Sequence, residues 1–378
     1  MKKTTIIGLT ICLIMLACNS NPSMNKSVNQ TETKLELQNT FYKKMKGTIG
    51  DIAITMDLLK TDSTLTGSYY YNNVGIPLAI NGTITTEGKI EMSEINKIEL
   101  SPIKDDYEDS GNFSGAFEGN NIIKGTWVNT KTKKSLPFQL TEITDSVTSI
   151  TFETLHNENC TNANNDIKNA TEEADTICTT LDISLIKILT PYPASTNLIN
   201  QSIVKNICDF SQGNKKGNSI KDLLNSINNV AEDEGYELII GSDLVTNDNN
   251  ILCIEIWDSY MGHHTAHPTS QSILCNYDVR TGKTITLNDI LLPNFKNKLN
   301  QIGEQIFIRT NGKEGWDFKE GMFKLNDNFA ITTGGIKFSF NQYEIGGYVS
   351  GAPDVFIPYK DINDLINPNG QIGQWRKN

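Results

Sequence analysis

Between residues 41 and 145 apolar and polar positions alternate with a period of two. The runs are DIAITMDLL at 51–59, LTGSYYY at 65–71, LAINGTIT at 78–85 and IKGTWVN at 123–129. Such alternation marks antiparallel strands with one face in a core. A short unit recurs within them, a glycine followed by a small and then a large residue: Gly47-Thr48-Ile49, Gly67-Ser68-Tyr69, Gly82-Thr83-Ile84, Gly115-Ala116-Phe117 and Gly125-Thr126-Trp127. Glycine inside a strand permits bending or a close approach of backbones. Asn72-Asn73, Glu87-Gly88 and Gly119-Asn120 carry turn chemistry between the runs. Seven or eight short strands over residues 41–145 predict an all-β N-terminal domain, an antiparallel meander or small barrel. Small barrels are usually filled by their own side chains, and an apolar ligand in the mouth is the alternative.

From residue 146 to 378 the pattern changes to an α+β region, with a smaller leading part to about 235 and a second part over 236–378. VTSITFETL and CTTLDISLIKIL read as strands around a polar, Asn-rich excursion at 157–175. Residues 197–210 have helical spacing, with Leu198, Ile199, Ile203, Ile207 and Phe210 on one stripe. A second helix is expected over 219–234, starting at a Ser219 N-cap and burying Ile220, Leu223, Leu224, Ile227 and Val230. Strands follow at YELIIGSDLVT, NILCIEIWDSY and SQSILCNYDV, then a third helix over about 288–307. The chain ends in further strands, with Gly334-Gly335 read as a two-residue hairpin turn.

The first 40 residues change the picture from fold to location. Lys2 and Lys3 precede an apolar stretch, Ile6–Leu16, and Ala17 precedes Cys18. That order is a secretory leader, too short for a bilayer span of roughly 20 apolar residues. Ala17-Cys18 resembles the bacterial lipobox, which implies cleavage after residue 17 and a lipid attached to Cys18. Residues 18–40 are polar and lack aromatics, as a tether would be. The expected protein is an exported lipoprotein held in the inner or outer membrane, facing the periplasm or the cell surface. Its formal charge of −11 becomes −13 once Lys2 and Lys3 leave, which argues against nucleic acid and favours a basic partner. Five cysteines then remain: Cys160, Cys178, Cys208, Cys253 and Cys275. Export permits disulfides. Cys160 with Cys178 would close the Asn-rich excursion. Cys253 and Cys275 are equidistant from His264, so a hairpin centred there would set them opposite each other, as a bridge or as two small buried groups.

Candidate chemistry concentrates in MGHHTAHPTSQ, which holds His263, His264 and His267. A zinc site needs three or four converging ligands. Gly262 and Pro268 bracket the histidines, and Pro268 restrains His267 to an extended conformation, so a hairpin tip is the better reading and no metal is expected. No nucleophile elbow, CxxC pair or spaced carboxylate dyad is present, so no catalytic residue is assigned and no cofactor is implied.

Four stretches carry a family resemblance. They are Ala266-His267-Pro268; Tyr277-Asp278 with Thr281-Gly282-Lys283; Phe338 with Gln342-Tyr343-Glu344-Ile345 and Tyr348–Gly351; and Val355–Tyr359. Together they resemble a bacterial envelope domain of unknown function. It forms the extracellular part of the lysozyme-sensing anti-sigma factor of bacilli and accompanies some peptidoglycan deacetylases as a non-catalytic region. Residues 182–210 are similar to the smaller domain that usually precedes it. The family's paired glycines before Ala-His-Pro are His264 and Thr265 here, a departure that would alter the loop. The resemblance implies binding without turnover, with a cell-wall component or a lysozyme-like protein as partner. His263, His264, His267, Gln342, Tyr343, Glu344 and Tyr348 are the candidate binding residues. The alternative is an envelope enzyme acting on cell-wall glycan or peptide through His267 and Glu344.

Overall fold

The computed structural model describes residues 37–97, 107–145, 147–162, 176–189, 192–210, 219–229, 235–319 and 321–376. The expected leader, Cys18 and most of the tether lie outside the described residues. Among those described, no helix is long and apolar enough to cross a membrane.

The alternating runs form a closed antiparallel barrel of eight strands. They are β1 (Thr40–Ile49), β2 (Ile52–Thr61), β3 (Thr64–Tyr71), β4 (Leu78–Ile84), β5 (Lys89–Lys97), β6 (Tyr107–Glu118), β7 (Ile122–Asn129) and β8 (Ser135–Ile143), closed by β1 against β8. Inward positions such as Met45, Ile54, Met56, Tyr69, Phe113 and Phe138 fill the interior. The recurring glycines are explained by close approach across strands. At Gly47 an added Cβ would lie 1.8 Å from the carbonyl oxygen of Gln139 on β8. A polar group also sits in this core. Glu94 accepts hydrogen bonds from the hydroxyls of Tyr69, at 2.5 Å, and of Ser110.

The second region begins with a hairpin, β9 (Ser149–Asn162) and β10 (Thr176–Leu189). The strands run further into the Asn-rich stretch than its polarity suggests. Cys160 is bonded to Cys178 across the pair, and the amides of Asn157 and Asn159 donate to the carbonyls of Leu224 and Ile227. Polar residues here serve as helix-end partners instead of forming a loop. Helix α1 (Pro193–Phe210) and helix α2 (Ile220–Ser226) follow, and Ser219 Oγ accepts from Asp222 N as an N-cap. Ile199, Ile203, Leu223 and Ile227 are fully buried, whereas Leu198 falls on the flank of the stripe and is half exposed. The side chains of Phe210 and Val230 lie outside the described residues.

Strands β11 (Tyr236–Asp248), β12 (Ile251–Gly262) and β13 (Thr269–Asp278) complete a five-stranded sheet of order β13-β12-β11-β10-β9. β10 and β11 are parallel, so α1 and α2 form a crossover, and the other pairs are antiparallel. The helices cover one sheet face. The expected third helix is instead two pieces, α3 (Leu287–Ile290) and α4 (Lys296–Asn311). Pro293 and Asn294, the latter at φ 66°, break the run between them. A three-stranded sheet, β14 (Phe329–Ile331), β15 (Gly335–Ser339) and β16 (Asp354–Pro358), packs on α4. Its first turn is centred on Thr333-Gly334, one residue earlier than expected, because Ile331 pairs with Ile336.

The barrel meets the five-stranded sheet through one buried cation. Lys44 lies 3.1 Å from Asp57 and 3.7 Å from Asp248 at the end of β11, and its side chain is 1% exposed. Tyr42 donates to the same Asp57 oxygen at 2.6 Å. Burial opposes charge on Lys44, but Asp57, the Tyr70 oxygen and Asp248 outweigh it and raise its pKa. Close by, the Asn247 amide exchanges two hydrogen bonds with the backbone of Thr148.

Removing one member of a buried ion pair typically costs about 3–5 kcal/mol. Lys44→Met is therefore expected to lower the urea midpoint by that equivalent, and an unchanged midpoint would contradict the assignment. Reduction of the Cys160–Cys178 bridge is expected to cost about 3 kcal/mol in the chain-entropy view, read as a lower melting temperature in reductant.

Candidate functional site

β12 and β13 form the hairpin that carries the histidines. Asp258 faces Gln271 and Tyr260 faces Thr269, and with Met261 and Gly262 paired to β11, residues 263–268 lie between the two strands. This register sets Cys253 opposite Asn276 and Cys275 opposite Ile254. The expected Cys253–Cys275 pair is therefore not formed. An offset of one residue sends the two thiols to opposite faces of the sheet. Cys253 packs with Leu274 and Ala330 on one face. Cys275 lies on the other, 3.2 Å from the Asn206 amide. Burial pushes both thiols up in pKa, as expected of inert core groups.

In the loop His264 takes a left-handed conformation, φ 67°, and its ring lies 3.9 Å from that of His263. His267 turns elsewhere. Its ring stacks on Tyr348 at 3.8 Å with 22° between planes, and its Nδ1 is 3.1 Å from the carbonyl of Pro268. Tyr348 donates to that same carbonyl at 3.3 Å, and Tyr343 lies 5.9 Å from Tyr348. Among the described residues, the one group of three metal-type side chains within reach of one another is Glu158, Cys160 and Cys178. Its two sulfurs are bonded to each other.

The segment bearing Tyr343 and Tyr348 is held against the outer edge of β13 by side-chain amides. Ser270 N donates to Gln342 Oε1. Ser272 N donates to Asn341 Oδ1, and Asn341 Nδ2 donates back to Ser272 O. Leu274 N donates to Asn328 Oδ1, and Asn276 joins the backbone of β14 through Phe329 O and Ile331 N. Glu344 accepts from Asn341 N and Asn326 Nδ2, which fixes the loop. Thus His267, Gln342, Tyr343 and Tyr348 come together on one rim, the exposed Glu344 staples the loop that carries the tyrosines, and the rings of His263 and His264 contact each other.

Beside that rim is a groove of about 310 Å³ lined by Glu255, Trp257, Asp258, Gln271, Gln342 and Asp354, among others. Trp257 lies flat on the neighbouring strand. A Cβ at Gly241 would come within 2.2 Å of the indole, whose Nε1 donates to Asp243 at 2.7 Å. Lys337 sits 3.7 Å from both Glu255 and Asp354, and although burial opposes its charge they raise its pKa. None of Trp257, Asp243 or Glu255 belongs to a motif or to the resemblance described above. The signal was present in NILCIEIWDSY, where Ile254 and Ile256 point inward and leave Glu255 and Trp257 on the outer face.

Residues 288–360 match the family described as "Protein of unknown function (DUF3298)". The match contains the Phe338, Gln342–Ile345, Tyr348–Gly351 and Val355–Tyr359 motifs, while the histidine hairpin precedes it. A crystal structure of a DUF3298 family member from Bacteroides fragilis is 15% identical, with a TM-score of 0.49, covering 61% of this chain and 99% of its own. One from Pseudomonas aeruginosa is 16% identical, with a TM-score of 0.44, covering 58% of this chain and 95% of its own. No curated protein matches the chain.

Within the site, Asn276 is 4% exposed and bridges two strands. Asn276→Ala strands the Phe329 carbonyl and the Ile331 N–H. The expected cost is about 2–6 kcal/mol, since each buried group left without a partner costs about 1–3 kcal/mol. Native-state hydrogen exchange should show the Ile331 amide losing protection. Protection equal to the parent protein would mean that the amide bridge is not what joins the sheets.

Proposed function

We propose that the chain is an exported, lipid-anchored binding module of the bacterial envelope, non-catalytic, whose partner is a lysozyme-like hydrolase or a cell-wall component. The observation that carries this reading is the gathering of His267, Gln342, Tyr343 and Tyr348, distant in sequence, on one rim beside the groove. Tyr343 is 58% exposed, and large aromatics displayed on a rigid support are typical binding anchors. The leader, the lipobox-like Ala17-Cys18 and the tether support attachment to a membrane. The net charge of −11 supports a basic partner, which complementary charge would steer into contact.

Turnover through His267 and Glu344 has less support. The Glu344 carboxylate is engaged by Asn341 and Asn326, and His267 is stacked on Tyr348. A general acid or base must reach the proton it moves, and these contacts spend both groups on holding the loop.

Expressed in a bacterial host, the full chain should incorporate labelled fatty acid and sediment with membranes, and Cys18→Ser should abolish both. Titrated in detergent into lysozyme, it should remove activity stoichiometrically. The double variant His267→Ala, Tyr348→Ala should weaken that effect by about tenfold or more, as loss of central anchors does. Release of sugar or peptide from purified cell wall by the chain alone, lost in His267→Ala, would overturn the non-catalytic reading.

A further inference from the structure

Strand register divides the five-stranded sheet into two faces. One is packed on α1 and α2. On the other, β14 covers the end around Cys253 and Leu274 through Ala330. Beyond that cover the face is open among the described residues. Pairing places on it Glu158 beside Thr180, His156 beside Asp182, Glu237 beside Met261, Gly241 beside Trp257 and Asp243 beside Glu255. Glu158, Glu237 and Asp243 are exposed, and Asp182 and Glu255 are half-buried. Five carboxylates from four strands thus share one surface. Among the described residues, the cations that reach them are His156, when protonated, 2.7 Å from Asp182, and Lys337, 3.7 Å from Glu255 and shared with Asp354.

Two features make this face more than acidic. The first is Trp257. Its inner ring face lies on the bare backbone of Gly241 and its N–H is tied to Asp243, which leaves its outer face half exposed in the groove. The second is the pair Asp243 and Glu255. They stand directly opposite each other on adjacent strands, an arrangement that destabilises a sheet when both are charged. Partial desolvation by the groups around it raises the Asp243 pKa although the side chain still meets water, the Trp257 N–H offsets part of this, and Glu255 adds to it. The carboxyl is held at a disadvantage that an arriving cation would remove.

We propose that this open face docks a cationic segment of a partner protein, with one arginine guanidinium laid on the outer face of Trp257 beside Asp243 and Glu255. The proposal rests on the binding-module reading and names the chemistry its partner presents. A planar guanidinium stacks on an indole while donating to carboxylates at its edge, which an ammonium cannot match. A neutral saccharide would also stack on Trp257, but it would leave the repulsion between Asp243 and Glu255 in place. The charge on this face therefore favours the cation.

The test uses the full chain in detergent and blocked hexa-arginine as probe, followed by calorimetry and tryptophan fluorescence. Hexa-lysine, hexa-citrulline and chitotetraose serve as comparisons. Hexa-arginine should bind most tightly and hexa-citrulline should not bind. Trp257→Ala should weaken binding by about tenfold and Trp257→Phe by less, because the ring face is kept. Asp243→Asn with Glu255→Gln should weaken it further, while Asp51→Asn with Asp62→Asn, which removes equal charge from the barrel, should not. Circular dichroism of each variant checks folding. Equal binding by Trp257→Ala, or equal loss with the barrel variant, overturns the proposal, as does chitotetraose displacing the peptide. If lysozyme association survives in Trp257→Ala while hexa-arginine binding never involves Trp257, this surface is wrong and the binding-module reading stands. If neither probe binds, both fall.

Discussion

The outer edge of β13 is where the second region either holds together or does not. A sheet edge presents backbone groups that must find partners or attract the wrong ones. Among the described residues no strand adds to it. Gln342, Asn341 and Asn328 take Ser270, Ser272 and Leu274 in turn, and Asn276 reaches outward to β14. Further along, Ile285 N donates to Asn276 O, and Asp278 N to Lys283 O. Side-chain amides carry both a donor and an acceptor, so each can imitate a peptide unit. This ladder brings the three-stranded sheet to the edge, covers Cys253 with Ala330, and sets Tyr343 and Tyr348 beside the histidine hairpin.

The barrel was legible in the sequence because each of its strands has one face in a core, so burial writes itself into a two-residue period. The glycine units were legible as bends, and Gly47 shows the cause, a neighbouring carbonyl where a side chain would stand. The hairpin was readable as a hairpin but not in register. Eight residues between the last paired positions, or seven, fit the same pattern, and the difference moves Cys275 across the sheet. The Asn-rich stretch misled for a related reason. Asparagine reads as loop chemistry, yet Asn157 and Asn159 lie within β9 and are spent on the last carbonyls of α2 and the turn after it, partners far away along the chain.

The candidate site divides in the same way. Gln342, Tyr343 and Tyr348 were found by resemblance, and the fold gathers them with His267. The resemblance did not separate display from support. Tyr343 is displayed, whereas Glu344, adjacent in sequence, is a staple. Trp257 carries no family motif, and only its position in an alternating strand marks it. Tryptophan on the outer face of such a strand is expensive to expose and has to be supported from below, which Gly241 accomplishes.

Two positions on β11 treat negative charge in opposite ways. At Asp248 the carboxylate is covered by the barrel, and Lys44 is buried between it and Asp57. Desolvation leaves no other stable arrangement, since a buried charge without a partner is strongly disfavoured. At Asp243 the carboxylate is exposed, its cross-strand neighbour is Glu255, and the lysine that reaches Glu255, Lys337, is shared with Asp354. Water tolerates that arrangement, so the fold can keep it, but only at a cost to the sheet. A chain that compensates its acids so fully at an internal interface and so sparingly on an open face has its unspent charge where another molecule can meet it.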